Sequence, residues 1–258
     1  MKKPAQPHSR AGGAAFAFLL VLLPAPLLAQ QRQEFTQTLP LQPDGTLELR
    51  NVNGSVRIEA WDREAVLIQA TKIARSEFGA LEQVQILAEA QPGRVRVSAR
   101  YPENESNDVQ VDFRIRVPAR IRLERVETVN GDIAVRGVEG EGELRTVNGD
   151  ITLLAATGRF DARSTNGNLY LEFRQLAREG AMAAETVNGT LTLVLPPHAG
   201  LELLVSSQNG EFFSELPVLS RAGSDAGEFH GVIGTPGPKV RLQTVNGGIR
   251  VATLRPVV

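Results

Sequence analysis

Thr128-Val129-Asn130-Gly131-Asp132-Ile133-Ala134-Val135 returns eighteen residues later as Thr146-Val147-Asn148-Gly149-Asp150-Ile151-Thr152-Leu153. The Asn-Gly pair at its centre occurs seven times in 258 residues: Asn53-Gly54, Asn130-Gly131, Asn148-Gly149, Asn166-Gly167, Asn188-Gly189, Asn209-Gly210 and Asn246-Gly247. The intervals are 77, 18, 18, 22, 21 and 37 residues. Four consecutive intervals near twenty are too regular for scattered turns and mark a repeat architecture.

Alignment on the asparagine exposes the pattern on both sides. Three residues after it stand Val56, Ile133, Ile151, Leu169, Leu191, Phe212 and Ile249. Two further on come Ile58, Val135, Leu153, Leu171, Leu193, Ser214 and Val251, with Arg57, Ala134, Thr152, Tyr170, Thr192, Phe213 and Arg250 between the two apolar rows. Four residues before the asparagine lie Leu49, Val126, Leu144, Ala162, Ala184, Val205 and Leu242. Alternation with period two is a strand with one buried face, so each repeat reads as strand, Asn-Gly corner, strand. A left-handed backbone explains the choice of Asn and Gly, since both tolerate positive φ.

Two folds fit such corners. Type I′ hairpins would build an antiparallel β-sandwich. The fixed period instead favours an all-β, right-handed parallel β-helix, in which a coil of about twenty residues holds three short strands and equivalent positions stack at about 4.8 Å. The asparagines then form a ladder, and Glu127 faces Arg145 as Arg163 faces Glu185.

The stretches Asn51-Val52-Asn53-Gly54-Ser55-Val56-Arg57-Ile58-Glu59-Ala60-Trp61-Asp62, Thr128 to Val135 and Thr146 to Ile151 resemble the DUF4097 family of adhesin-like domains over roughly 46–254. The resemblance implies a β-solenoid of the bacterial envelope and defines no active site.

Outside the repeat, the amino end has the form of a secretory signal peptide: Lys2, Lys3 and Arg10, an uncharged apolar run from Gly12 to Ala29, then Gln30-Gln31-Arg32. Cleavage is expected after Ala29. Without residues 1–29 the chain keeps 25 basic and 29 acidic residues, a net of −4, which argues against nucleic acid as a partner. No later run is long enough to span a membrane. There is no cysteine, which excludes disulfides, thiol nucleophiles and cysteine-bound zinc. Residues 30–45 read as a flexible leader. Residues 46–125 read as a less regular cap that includes a short helix over 76–85, and 126–254 read as repeated coils. Within them, 215–239 is a Gly- and Pro-rich loop before a final coil at 240–254.

Candidate chemistry is sparse. His198 and His230 stand apart and have no partners at metal-ligand spacing, so no metal site or cofactor is expected. Asp132 and Asp150 both follow Asn-Gly one coil apart. Stacking would bring their carboxyl groups near the ~5 Å used by retaining glycosidases. The same slot holds Ser55, Asn168, Thr190, Glu211 and Gly248 elsewhere, which suits a small polar corner residue better than a catalytic acid. The expectation is a non-enzymatic, exported binding or interaction module of the envelope, periplasmic or extracellular, with an envelope protein or a glycan as partner. A structural or signalling scaffold and a polysaccharide-active enzyme built on Asp132 and Asp150 are the alternatives.

Overall fold

Buried and exposed side chains alternate along almost every segment of the chain, and each alternating run is a strand. The computed structural model describes residues 31–74, 80–102, 108–220 and 228–255. The segment read as a signal peptide lies outside them. In chain order the first strands are β1 (Gln31–Pro40), β2 (Thr46–Arg50), β3 (Val56–Trp61) and β4 (Ala65–Ala74), followed by a single helical turn, α1 (Ala80–Gln83). Then come β5 (Gln85–Gln91), β6 (Arg94–Arg100), β7 (Val109–Pro118), β8 (Arg120–Glu127), β9 (Ile133–Arg136), β10 (Glu139–Arg145) and β11 (Ile151–Asn166). The remainder is β12 (Leu169–Leu176), β13 (Ala181–Asn188), β14 (Leu191–Leu195), β15 (Leu201–Asn209), β16 (Phe212–Ser214), β17 (Val218–Ser220), β18 (Glu228–Ile233), β19 (Lys239–Asn246) and β20 (Ile249–Thr253).

These strands stack as a parallel β-solenoid with two ladders. The first runs β6, β2, β8, β10, the second half of β11, β13, β19 and β15. The second runs β7, β3, β9, the first half of β11, β12, β14, β20 and β16. Each coil contributes one segment to each ladder and turns between them at an Asn-Gly corner. There are thus two strand segments per coil where the sequence suggested three. Apart from β2 and the double-length β11, the first-ladder strands run seven to nine residues, β6, β8, β10, β13, β15 and β19 among them.

The apolar rows face inward between the ladders. Leu49, Val126, Leu144 and Leu242 from the first meet Val56, Ile133, Ile151 and Ile249 from the second, all at most 1% exposed. Where the first row shrinks to Ala162 and Ala184, the buried rings of Phe160 and Phe173 fill the space, 6.4 Å apart. That pairing of small with large side chains keeps the core at native density along the axis.

Coil order in space departs from coil order in sequence at both ends. The coil of β19 and β20, last in the chain, is inserted between that of β13 and β14 and that of β15 and β16. At the other end, β2 and β3 lie inside β6 and β7, although they precede them. Antiparallel strands then cover the ends: β4 on β7 and β1 on β4, β5 on β6, β18 on β15 and β17 on β18. Covering an open edge with a reversed strand stops further parallel stacking.

Three sequence expectations change accordingly. The leader is β1, paired with β4 from Gln31 to Pro40. Within 46–125, residues 46–61 form a regular coil rather than part of the cap. The stretch 215–239 supplies β17 and β18, whose interior contacts its glycine content disguised. Of the expected helix only 80–83 is described and helical; residues 75–79 lie outside the described residues.

Candidate binding groove

The corner motif Thr-Val-Asn-Gly-Asp assigns each residue a separate task. The asparagine amides form a continuous ladder on the outside. Asn130 Nδ2 donates to Asn53 Oδ1, Asn148 to Asn130, Asn166 to Asn148 and Asn188 to Asn166, each at 2.8 Å. Asn246 continues to Asn188 at 2.7 Å and Asn209 to Asn246 at 2.8 Å. On the inside, the hydroxyl two residues before every corner asparagine except Asn53 donates to the glycine carbonyl of the neighbouring coil. Thr128 reaches Gly54 at 3.1 Å, Thr146 Gly131 at 2.9 Å, Ser164 Gly149 at 3.0 Å, Thr186 Gly167 at 2.8 Å, and Thr244 Gly189 at 3.1 Å. An unpaired buried carbonyl would cost about 1–3 kcal/mol, which is the reason for a buried hydroxyl there.

Left-handed backbone is not the reason for Asn-Gly, contrary to the sequence expectation. None of the seven asparagines has positive φ, and neither do Gly131, Gly149, Gly167, Gly189 and Gly210. Glycine is required by contact. A Cβ on Gly149 would sit 2.1 Å from the Gly131 carbonyl oxygen, and one on Gly167 1.9 Å from that of Gly149. Gly54, at φ +122°, and Gly247, at φ +157° with its would-be Cβ 2.0 Å from the Gly189 carbonyl oxygen, are the corners where both reasons apply.

Replacing Asn148 by Val should therefore destabilise the protein through its two ladder bonds, by about 1–2 kcal/mol, while Thr152→Val on the outer face changes stability little. Denaturant titration of the two variants measures the difference.

Asp132 and Asp150 do come together, as structural acceptors. Asp132 Oδ1 accepts the Asp150 amide N–H at 2.9 Å, and Asp150 Oδ1 accepts the Asn168 amide N–H at 2.7 Å. Asn168 Oδ1 repeats the contact to the Thr190 amide at 2.9 Å, and Asp112 serves Ser55 in the same way at 2.8 Å. An amide oxygen can replace either carboxylate. The double variant Asp132→Asn, Asp150→Asn should keep its denaturation midpoint and its binding, which titration and a binding assay both read. His198 lies in an exposed turn and His230 on β18, facing Glu228 at 3.5 Å, so the two histidines do not form a site.

Upstream of the corner the chain bends and leaves a groove of about 550 Å³ along the first ladder. Val129, Val147, Thr165, Val187 and Val245, one residue before each asparagine, form one wall. Val52, Val129, Val147 and Val187 are each 38–40% exposed. Glu127, Arg145, Arg163, Glu185 and Gln243, two residues further upstream, form the other wall, and the buried Thr128, Thr146, Ser164 and Thr186 make the floor. No aromatic side chain lines it.

The charged wall is held in register by stacking. Arg163 Nε bonds Glu185 at 3.0 Å, and that contact raises the arginine pKa further. Arg145 stands beside Glu127 in the ladder but turns its guanidinium to Glu143, leaving Glu127 to Arg50 at 3.5 Å. Past the Asn51 end of the groove, the Tyr101 hydroxyl donates to Asn53 O at 3.1 Å, and burial lifts its pKa to about 12. There Asn51 takes the place of the buried threonine and donates to Val111 O at 2.9 Å, because the coil beyond it has no Asn-Gly corner.

The sequence reading saw the charged row and used it for register alone. It passed over the valine row, although Val recurs before Asn-Gly at 52, 129, 147, 187 and 245. Two consecutive outward positions, with the threonine between them turned in, make a wall on each side of a bend.

The architecture is that of a repeat-built β-solenoid with stacked Asn-Gly corners. Residues 12–252 match the family model Toastrack DUF4097, and the chain belongs to that family. Its fold is similar to that of a cell-adhesion candidate from Clostridium sporogenes (12% identity, 86% of this chain and 100% of the other, TM-score 0.44). It is likewise similar to an adhesin candidate from Bacteroides fragilis (11% identity, 85% and 97%, TM-score 0.47) and to a lipid-binding candidate from Parabacteroides distasonis (11% identity, 84% and 96%, TM-score 0.27). No curated protein matches the chain.

Proposed function

We propose that this protein is a non-catalytic, exported binding module of the cell envelope that holds a protein partner in the corner groove. The observation that carries the reading is the groove itself: an exposed valine row beside a row of mixed charge, both continued from coil to coil. Such a surface suits an extended polypeptide, whose apolar side chains cover the valines while its charges meet Glu127, Arg145, Arg163 and Glu185. A glycan fits it less well, because sugar rings stack on aromatic faces and the lining has none. Catalysis is not supported by the acid pair, since Asp132 and Asp150 spend an oxygen each on a backbone amide. Export is supported by the charge and hydropathy order of residues 1–29.

The test is co-purification from the native envelope with wild type and with Val129→Glu, Val147→Glu. The double variant should lose at least about tenfold of the captured partner, as expected for charges placed in a desolvated contact, with an unchanged melting temperature. Undiminished capture would remove the groove from the reading. Turnover of a polysaccharide panel by wild type would replace the reading with an enzyme.

A further inference from the structure

Four arginines cluster on the outer face of the second ladder. Arg57, Arg114, Arg116 and Arg136 are exposed, and among the described residues none of them has an ion-pair or hydrogen-bond partner. Arg57 stands directly beside Arg114 on the neighbouring strand. Glu59 stands between Arg116 and Arg136 in the next row. On the first ladder Arg50, Arg94, Arg96, Arg145, Arg159 and Arg163 reach carboxylates, while Arg100 and Arg241 do not among the described residues. Like charges side by side across strands destabilise a sheet. Four exposed arginines on the neighbouring strands β3, β7 and β9 give this face a local excess of positive charge.

We propose that this face docks on the phosphate head groups of an anionic membrane. Adjacent strands are about 4.8 Å apart and alternate residues along a strand about 6.8 Å apart, so the guanidiniums form a flat array on a rigid sheet. Each is a planar fork that matches phosphate oxygens in pairs. A plane of head groups can meet all of them at once. An acidic polysaccharide is the weaker fit, because it would need a cleft or a free aromatic platform. The nearest ring, Trp61 at the end of β3, carries the Arg63 guanidinium 5.2 Å over its face. Trp61 is half-buried at the border of the array, a place where tryptophan suits the interfacial zone of a bilayer. The face is separate from the corner groove, so either surface can fail without the other.

The experiment is co-sedimentation of the purified protein with vesicles of phosphatidylglycerol and phosphatidylcholine, and with phosphatidylcholine alone. Wild type should bind the anionic vesicles only and leave them at high salt. Neutralising Arg57, Arg114, Arg116 and Arg136 to Gln should weaken binding at least about tenfold, since each basic group near a charged leaflet contributes to adhesion. The same number of Gln substitutions at Arg94, Arg96, Arg122 and Arg159 should leave binding in place. Circular-dichroism melting checks that both variants fold, and the first should melt no lower than wild type because a repulsive pair is gone. Failure of wild type to sediment with anionic vesicles, equal binding by the first variant, or binding to soluble polygalacturonate as tight as to vesicles would overturn the assignment.

Discussion

Gly149→Ala is expected to cost about 3 kcal/mol or more, the upper range for overpacking, although it adds one methyl at a residue with ordinary φ. The added Cβ would lie 2.1 Å from the Gly131 carbonyl oxygen, 2.5 Å from its carbon and 3.0 Å from the Asp132 nitrogen. All three are backbone atoms, so no rotamer change relieves the clash and one coil must move away from the next. That movement is opposed on both sides. Asn148 is tied to Asn130 and Asn166, the Thr146 hydroxyl to Gly131 and the Ser164 hydroxyl to Gly149. Gly93 is the informative control, with φ +71° and nothing within 4 Å of its would-be Cβ. Gly93→Ala should lose only the left-handed penalty of about 1–2 kcal/mol. Denaturant titration of both variants reads the difference, and equal losses would return the corner to a question of backbone strain.

Removing residues 236–258 should unravel much more than one terminal coil. The deleted β19 and β20 lie inside the stack, and β13, β14, β15 and β16 all pair with them. Without them Val240, Leu242, Ile249 and Val251 leave the core, and the inward faces of Leu191, Leu193, Leu203 and Val205 lose their cover. Each buried aliphatic side chain of this kind accounts for about 1.5–3 kcal/mol, so the loss of four exceeds what the outer coil can tolerate. Hydrogen exchange should find residues 201–233 unprotected while 120–176 stay protected, as expected for a solenoid in which contacts are between neighbouring coils. Retained protection over 201–233 would mean that β15 and β16 had docked directly on β13 and β14 and that the insertion is dispensable.

That second result also marks where sequence reading stops. The period-two alternation and the seven Asn-Gly corners are local properties, and from them the strands, the core rows and the stacked asparagines follow. Consecutive corners from Asn130 to Asn188 stack in chain order. Order changes within the 77-residue interval and again after Asn188, where 21 residues carry Asn209 one coil too far and the next 37 bring Asn246 back between the two. Nothing in the composition of 239–253 says which side of 201–214 it will take. The cap strands were hidden for a related reason: β1, β17 and β18 have their pairing set by partners distant in sequence, and their own residues are too polar or too glycine-rich to announce burial. At the groove the charged row was legible and the valine row was present but unread, since an outward valine looks like an accident until four neighbours repeat it. The buried threonine was equally visible at 128, 146, 186 and 244, and its task is defined only by the glycine carbonyl of another coil.

The groove as the site of partner binding is tested most directly by a photo-crosslinking scan around one coil in the native envelope. A photoreactive residue is placed in turn at Val147 and Thr165 in the groove, at Thr152 and Tyr170 on the outer face of the second ladder, and at Arg159 on the first. Protein adducts concentrated at Val147 and Thr165, and lost when Val129 and Val187 are changed to Glu, are the predicted result. Adducts spread evenly over the five positions, or concentrated at Thr152 and Tyr170, would contradict it.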